Sequence, residues 1–532
     1  MESPVRLDGH PLNYRGGPTC AVIACKNPSI TVNVVDLSVE RIKAWNSLDL
    51  PIAEPGLLEM IQIGRDGIDG RTPNLHFTTE VDRAIVDADL IFISVNTPTK
   101  KFGRGANQAL DVTWVEAAVE RIARVAADDK IVVQKSTVSC GTAKIVKEIL
   151  VGLGRPGLHF EVLSNPEFLA EGTAIRDLLE PDRVLIGSDP TESGYQARRI
   201  LSDVYNAWVP KDRIISMDTN SAELAKLAAN TLLAQRISSI NALSAICEAT
   251  GADVEEVAFA CGLDTRIGSK MLRSSIGFGG SCFKKDTLSL AHFSDSLQLP
   301  DIGSYWRSVN DINERQKARF AHRIVRRMHN TISGKKVALL GCSYKKNTGD
   351  IRESAAISIA GYLISEQARI TVYDPRVRAD EFFHAMGVET GMSLEQIHSK
   401  MRVCSSAYEA CHQAQAVVIA TEWDEFNNRD SSPSYSSLCD SSKGNQSELF
   451  GSDALAGEIQ SDGQLTPPLS DSLAEHGLAE EQEKPGKVDW RRVASLMRYP
   501  KLVFDGRNVV DSDKLRALGM QVECVGKPGY RG

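Results

Sequence analysis

The stretch GFGGSCFKKD, residues 277–286, sets two glycines, a serine and a cysteine ahead of a helix-compatible run. A thiol at a helix N-terminus with lysines beside it has its nucleophilic thiolate form favoured by the helix dipole and the nearby cations. Cys282 and Asp286 are spaced i, i+4 and would share one helix face. Taken alone, a cysteine in a glycine turn is a structural residue, but three other polar clusters accompany this one. In SNPEFLAEGTA, residues 164–174, Asn165 can cap a helix with Pro166 at its first position, placing Glu167 and Glu171 on one face. One of these carboxylates could act as general base toward a water or an alcohol; the plainer reading is a pair of solvated glutamates. Lys226 and Asn230, again i, i+4, lie among the apolar Leu224, Leu227 and Leu232. An ammonium there could stabilise a developing oxyanion, and without company it would be an exposed helix face. VNTPT (95–99) and KSTV (135–138) follow apolar runs, as does Asp36. Ligands of open α/β sheets bind outside the carboxyl ends of strands, where an acidic residue can accept hydrogen bonds from an adenosine ribose.

Those clusters need elements to hold them. Short apolar runs at 30–36, 89–95, 130–136 and 183–188 read as strands, with amphipathic stretches such as 112–126 between them. Strands alternating with helices predict a parallel sheet covered on both faces. Ser221 is the expected N-cap of a long helix, with Glu223 in its first turn and no Gly or Pro before Gly251. Further helices follow to about residue 330. A second α/β unit begins at 335, with strands at 337–340, 370–374, 416–421 and 501–505. The expected fold class is therefore α/β: two Rossmann-like parallel-sheet domains (1–219 and 331–532) joined by a central helical domain (220–330) with a long connecting helix. The second domain is interrupted at 429–487 by a Ser-, Asp-, Glu-, Gly- and Gln-rich stretch with no apolar periodicity. Such a composition is expected to form a disordered surface insertion, because it cannot bury enough apolar surface to offset its ordering entropy.

Composition narrows the function. A formal charge of −8 over 532 residues argues against a nucleic-acid partner. No stretch approaches the ~18 consecutive apolar residues of a membrane span, and residues 1–17 lack the apolar core of a secretory signal. The 11 cysteines contain no Cys-x-x-Cys pair, so no disulfide framework or metal site is expected, the adjacent Cys411 and His412 included. A cytoplasmic protein is the expectation.

With these segments in view, the chain resembles the UDP-glucose 6-dehydrogenase family of nucleotide-sugar dehydrogenases. The resemblance runs from about residue 16 to 424 and from about 489 to 527. It rests on SNPEFLAEGTAI, LLAQRISSIN, CEATGADVEEVA, GFGGSCFKKD, TGDIRES and FDGR together. It implies NAD as cofactor, UDP-glucose as substrate, a homodimer or higher homo-oligomer, and UDP-glucuronate as product. It implies Cys282 as nucleophile, Glu167 as acid/base, Lys226 as oxyanion-stabilising amine, and Asp286 with Thr137 as the pair positioning water. NAD contacts fall on Gly16, Asp36, Arg41, Thr97, Thr137, Glu171 and Arg352. Substrate positions are Glu167, Phe168, Leu169, Lys226, Asn230, Arg273, Phe278, Gly279, Tyr344, Lys345 and Arg507, with Arg266 supplied to the neighbouring subunit. The implied reaction has two NAD-dependent hydride transfers, through a thiohemiacetal and then a thioester on Cys282, followed by hydrolysis. A dehydrogenase of another nucleotide sugar is the nearest alternative.

One departure stands out. The family opens with an apolar strand and Gly-x-Gly-x-x-Gly, whereas positions 11–16 here read PLNYRG, keeping only Gly16. Leu12 and Asn13 bring side chains where backbone should approach a pyrophosphate, and Pro11 lacks an N–H. Arg6, Asp8 and His10 are too polar for a central strand buried on both faces. Either the first segment is mis-assembled, or the chain is a non-catalytic subunit that binds NAD poorly.

Overall fold

The structure, a computed structural model, describes residues 6–9, 16–429 and 486–529. Among the described residues fourteen strands form two sheets. The first contains β1 (Arg6–Gly9), β2 (Thr31–Val35), β3 (Leu75–Thr78), β4 (Leu90–Ile93), β5 (Lys130–Gln134), β6 (Phe160–Ser164), β7 (Val184–Ser188) and β8 (Ile214–Asp218) in the order 3-2-1-4-5-6-7-8. Its pairs are parallel except β6 with β7. The second holds β9 (Lys336–Leu340), β10 (Arg369–Tyr373), β11 (Met401–Val403), β12 (Ala416–Ile419), β13 (Leu502–Asp505) and β14 (Gln521–Cys524), ordered 11-10-9-12-13-14 and parallel throughout. Central strands such as β4 and β12 are apolar and buried at every position, as helices on both faces require. This is the expected α/β plan with a helical middle.

Three local expectations change. The polar residues 6–9 do form a central strand, paired with β2 on one side and β4 on the other; a slot with ladder partners on both edges outweighs local propensity. The long helix runs Thr219–Thr250, and its N-cap is Asp218, whose carboxylate accepts from Ser221 N–H; Ser221 itself is already helical. No helix forms over 165–171. Asn165 instead continues the β5 ladder through its N–H to Gln134 O, donates its amide to Leu185 O, and accepts from Lys135 and Tyr205.

Beyond the long helix come the cysteine helix, Phe283–Ser296, and the crossing helix, Pro300–Arg327, which packs on both. The insertion leaves the second unit after Arg429 and has returned by Val488, whose N–H bonds Glu425 O at 2.7 Å. Arg429, expected to belong to it, is part of the fold: its guanidinium pairs with Glu255 at 2.9 Å and donates to Val510 O. The rest of the insertion to Pro485, and glycine-turn positions 10–15, lie outside the described residues.

Asp36 follows β2, and Asp374 holds the equivalent place after β10. Asp374 folds back over the turn after β9, accepting from Cys342 N–H (2.7 Å), Ser343 N–H (3.1 Å) and the Trp423 indole (3.1 Å). Asp36 accepts from Ser38 N–H at 2.8 Å and from Arg41 at 2.6 Å.

Candidate active site

Both sheets present their carboxyl edges to the helical middle, and the singled-out side chains gather there. Cys282 sits at the N-cap position of the cysteine helix, partly exposed; its carbonyl takes the first helical bond, from Asp286 N–H at 2.8 Å. One turn on, Asp286 is buried, accepting from Asn230 at 2.6 Å and pairing with Lys285 at 3.3 Å. Lys285 also reaches Thr97 O at 3.2 Å, and the Thr97 hydroxyl donates to Thr137 O at 2.8 Å. The loops after β4 and β5 are thereby tied to the cysteine helix.

Lys226 and Asn230 are buried on the long helix, so they are no exposed helix face. The Lys226 ammonium lies 5.0 Å from the Phe168 ring, whose surroundings also include the Arg183 guanidinium at 4.1 Å. Phe168 and the buried Glu167 ride on an irregular segment, with Leu169 packed against the first unit's core. Glu171, further along, accepts from Arg352 at 3.1 Å and from Thr348 at 3.4 Å, a bridge between the two sheet units. Gly172 (φ +81°) lets that segment pass the second unit: a Cβ there would stand 2.9 Å from Asn347 O.

A cleft of about 310 Å³ opens on the second unit's side, lined by Arg273, Phe278, Gly279, Tyr344, Lys345 and Arg507 among others. Arg507 is fixed by Ala420 O (2.8 Å), Tyr344 O (3.0 Å) and Glu422 (3.2 Å). Burial pushes the Tyr344 phenol up, with Glu171, Asp350 and Cys282 adding to the effect. A bidentate bond to Asp350 holds the Arg352 guanidinium above its ordinary value, with lesser contributions from Glu171 and Cys282. Tyr344 and Arg352 therefore share the electrostatic surroundings of the thiol. Arg266 stands apart, largely exposed and bonded to Asp264.

Sequence reasoning missed Lys285 as a strap and missed the amides Asn241, Asn313 and Gln316, which hold the segment 275–278. The signal was available: Asn310, Asn313 and Gln316 recur every three residues on one helix, and all three are buried.

The described residues fit a dinucleotide. Asp36 is buried at the end of β2, beside the strand that precedes the helix Gly16–Lys26. That helix has no acidic residue in its first turn, so its N-terminus suits phosphate. Gly17 permits close packing, since a Cβ would stand 2.3 Å from the Trp45 ring. Among the described residues no cluster of potential metal ligands occurs and no helix is long and apolar enough to cross a membrane.

Comparison with known proteins agrees with this geometry. The NAD-binding, central and UDP-binding domain models of the UDP-glucose/GDP-mannose dehydrogenase family match residues 12–209, 220–315 and 338–441. The chain is 45% identical over 524 residues to UDP-glucose 6-dehydrogenase 1 of Oryza sativa subsp. japonica, covering 97% of this chain and 95% of that protein. It is 44% identical over 522 residues to UDP-glucose 6-dehydrogenase of Drosophila melanogaster, covering 97% and 95%. Among solved structures, a UDP-glucose dehydrogenase from Pyrobaculum islandicum matches with a TM-score of 0.69 at 31% identity, over 80% of this chain and 92% of that one. A protein carrying the same three domains in this order, with this identity along nearly its full length, belongs to the UDP-glucose/GDP-mannose dehydrogenase family.

Proposed function

We propose that this chain oxidises UDP-glucose to UDP-glucuronate in two NAD-dependent steps. The observation that carries the reading is the junction of Cys282 with the buried Asn230–Asp286 pair at the meeting of the two sheet edges. Full-length similarity to UDP-glucose 6-dehydrogenases supports the substrate. The UDP moiety would lie in the cleft of Arg273, Phe278, Lys345 and Arg507, directing the sugar toward Cys282. NAD, when bound, accepts a hydride at each oxidation. Glu167 takes the proton of the reacting hydroxyl or water, and Lys226 and Asn230 hold the oxygen on which negative charge develops. Cys282 Sγ bonds the aldehyde carbon, and after the second oxidation the resulting thioester is cleaved by water placed by Asp286 and Thr137, releasing acid and thiol. The proposal includes a cytoplasmic homo-oligomer and the domain boundaries near 219 and 330. Exposed apolar residues on or just beyond the central helices, including Leu232, Ile246 and Leu263, support self-association, and the exposed Arg266 is suited to reach a neighbour.

The test is stoichiometry. Complete conversion of a known amount of UDP-glucose should yield two NADH per sugar nucleotide, and a ratio of one would rule out the four-electron reaction. A panel of UDP- and GDP-sugars run alongside should show UDP-glucose turned over fastest.

A further inference from the structure

The segment 274–280 is buried yet belongs to no helix or strand. Its backbone groups still need partners, since an unpaired buried peptide group is costly. One edge is met by the second sheet unit: Ile276 N–H bonds Gly506 O at 3.0 Å, and Gly280 N–H bonds Arg352 O at 2.8 Å. The other edge is met by side-chain amides. Asn241 of the long helix accepts from Ser275 N–H at 2.8 Å, and Gln316 of the crossing helix donates to Ser275 O at 2.7 Å. Asn313 does both for Phe278, accepting its N–H at 2.8 Å and donating to its carbonyl at 3.1 Å. These amides do what a neighbouring strand would do. Gly277 (φ +121°) completes the fit, because a Cβ there would stand 2.8 Å from Asn313 Oδ1.

We infer that Asn313 is a positioning residue for the sugar nucleotide: lying outside the cleft, it fixes the register of the segment whose Phe278 and Gly279 line it. This inference rests on the substrate reading above. Its effect falls on binding more than on chemistry, because the path from Phe278 to Cys282 is pinned separately at Gly280 and by the cysteine helix itself. Among the described residues the hydrogen bonds of the Asn313 side chain go to Phe278, not to the loops after β2, β4 or β5.

Asn313→Ser removes both bonds to Phe278. It should raise KM for UDP-glucose about tenfold or more, with kcat at saturation within about threefold of the unmutated enzyme and KM for NAD within about twofold. Gln316→Met, which removes the donor to Ser275 O at similar volume, should move the same constant in the same direction and serves if the first variant does not fold. The inference is overturned if KM for UDP-glucose stays within about twofold in the folded variants, if both KM values rise together, or if kcat alone falls. Failure of the substrate reading would appear differently, as an unmutated enzyme that does not turn over UDP-glucose. Calorimetric titration of UDP alone would then still compare the segment in the unmutated and variant chains, with a weakened Kd in the variants supporting the register role and an unchanged Kd overturning it.

Discussion

Glu223 offers a sharp test of how the first sheet unit is joined to the long helix. The helix Thr142–Leu153 starts at Gly141, in a left-handed conformation, with no capping side chain of its own. Its N-terminus is capped from across the fold: Glu223 accepts from Gly141 N–H at 2.7 Å and from Ala143 N–H at 2.8 Å. Burial pushes the Glu223 carboxyl up to about 7 from 4.5, against the opposing pull of the N–H donors at 141–143. Each pH unit of that displacement is worth ~1.4 kcal/mol, so ionising Glu223 in the folded chain costs about 3 kcal/mol more than in the unfolded one. The sign follows from proton uptake. Between about pH 4.5 and about pH 7 the folded chain holds this proton more tightly, so its contribution is fully present at the acid end and is lost as pH rises through 7. Glu223→Gln carries no such proton. Urea midpoints of the two proteins should therefore diverge with pH, the unmutated chain losing about 2–3 kcal/mol relative to the variant from about pH 5 to about pH 7.5. Glu425, also pushed up to about 7 by burial, contributes equally to both and cancels. A difference that stays flat across this range would refute the account of Glu223.

Other outcomes follow from the site and the insertion. Cys282→Ser should bind UDP-glucose with nearly unchanged Kd by calorimetry yet form no UDP-glucuronate, because a serine hydroxyl is far less ionised at neutral pH; normal product formation would remove Cys282 as nucleophile. Replacing residues 430–486 with a short Gly/Ser linker should preserve Tm and the catalytic constants, since the chain leaves and returns beside the Glu425–Val488 bond and loop closure changes by only ~0.6 kcal/mol per doubling. Arg429→Ala, by contrast, should lower stability by about 1–2 kcal/mol in thermal or urea unfolding, because it strips a charged partner from Glu255.

β2, β4, β5, β7, β9, β10, β12 and β13 were legible because parallel strands buried on two faces leave unbroken apolar runs, as at β4 and β12, whereas β3, β6, β8, β11 and β14 were passed over. β1 was not legible, because its place is set by neighbours distant in sequence. Cys282 and Asp286 were legible as helix neighbours, since one helical turn is a local matter. Glu167 and Glu171 were not: Asn165 is drawn into contacts with Lys135, Leu185 and Tyr205, and the chain beyond it forms no helix, with Glu171 in a turn where it meets Arg352. Glu223 read as an ordinary first-turn acid, and only the packed structure shows it serving another helix. The glycine-turn positions lie outside the described residues, and the NAD-binding domain match over residues 12–209 speaks for the cofactor that those positions alone had put in question.

The carboxylate of Asp374 has a consequence for timing. By closing over Cys342 and Ser343 it places a negative charge of the chain's own at the turn where a phosphate would otherwise approach. The connection after β9 has become a long loop, carrying Tyr344, Lys345 and Arg352 toward the other sheet. Of two similar scaffolds, then, the first matches an NAD-binding domain and the second a UDP-binding domain. On the proposed chemistry, four electrons must leave through a single berth in two instalments, with an exchange of passengers between them. The half-oxidised sugar has to wait through that exchange, and a covalent mooring at Cys282 would keep it from drifting off before the second departure.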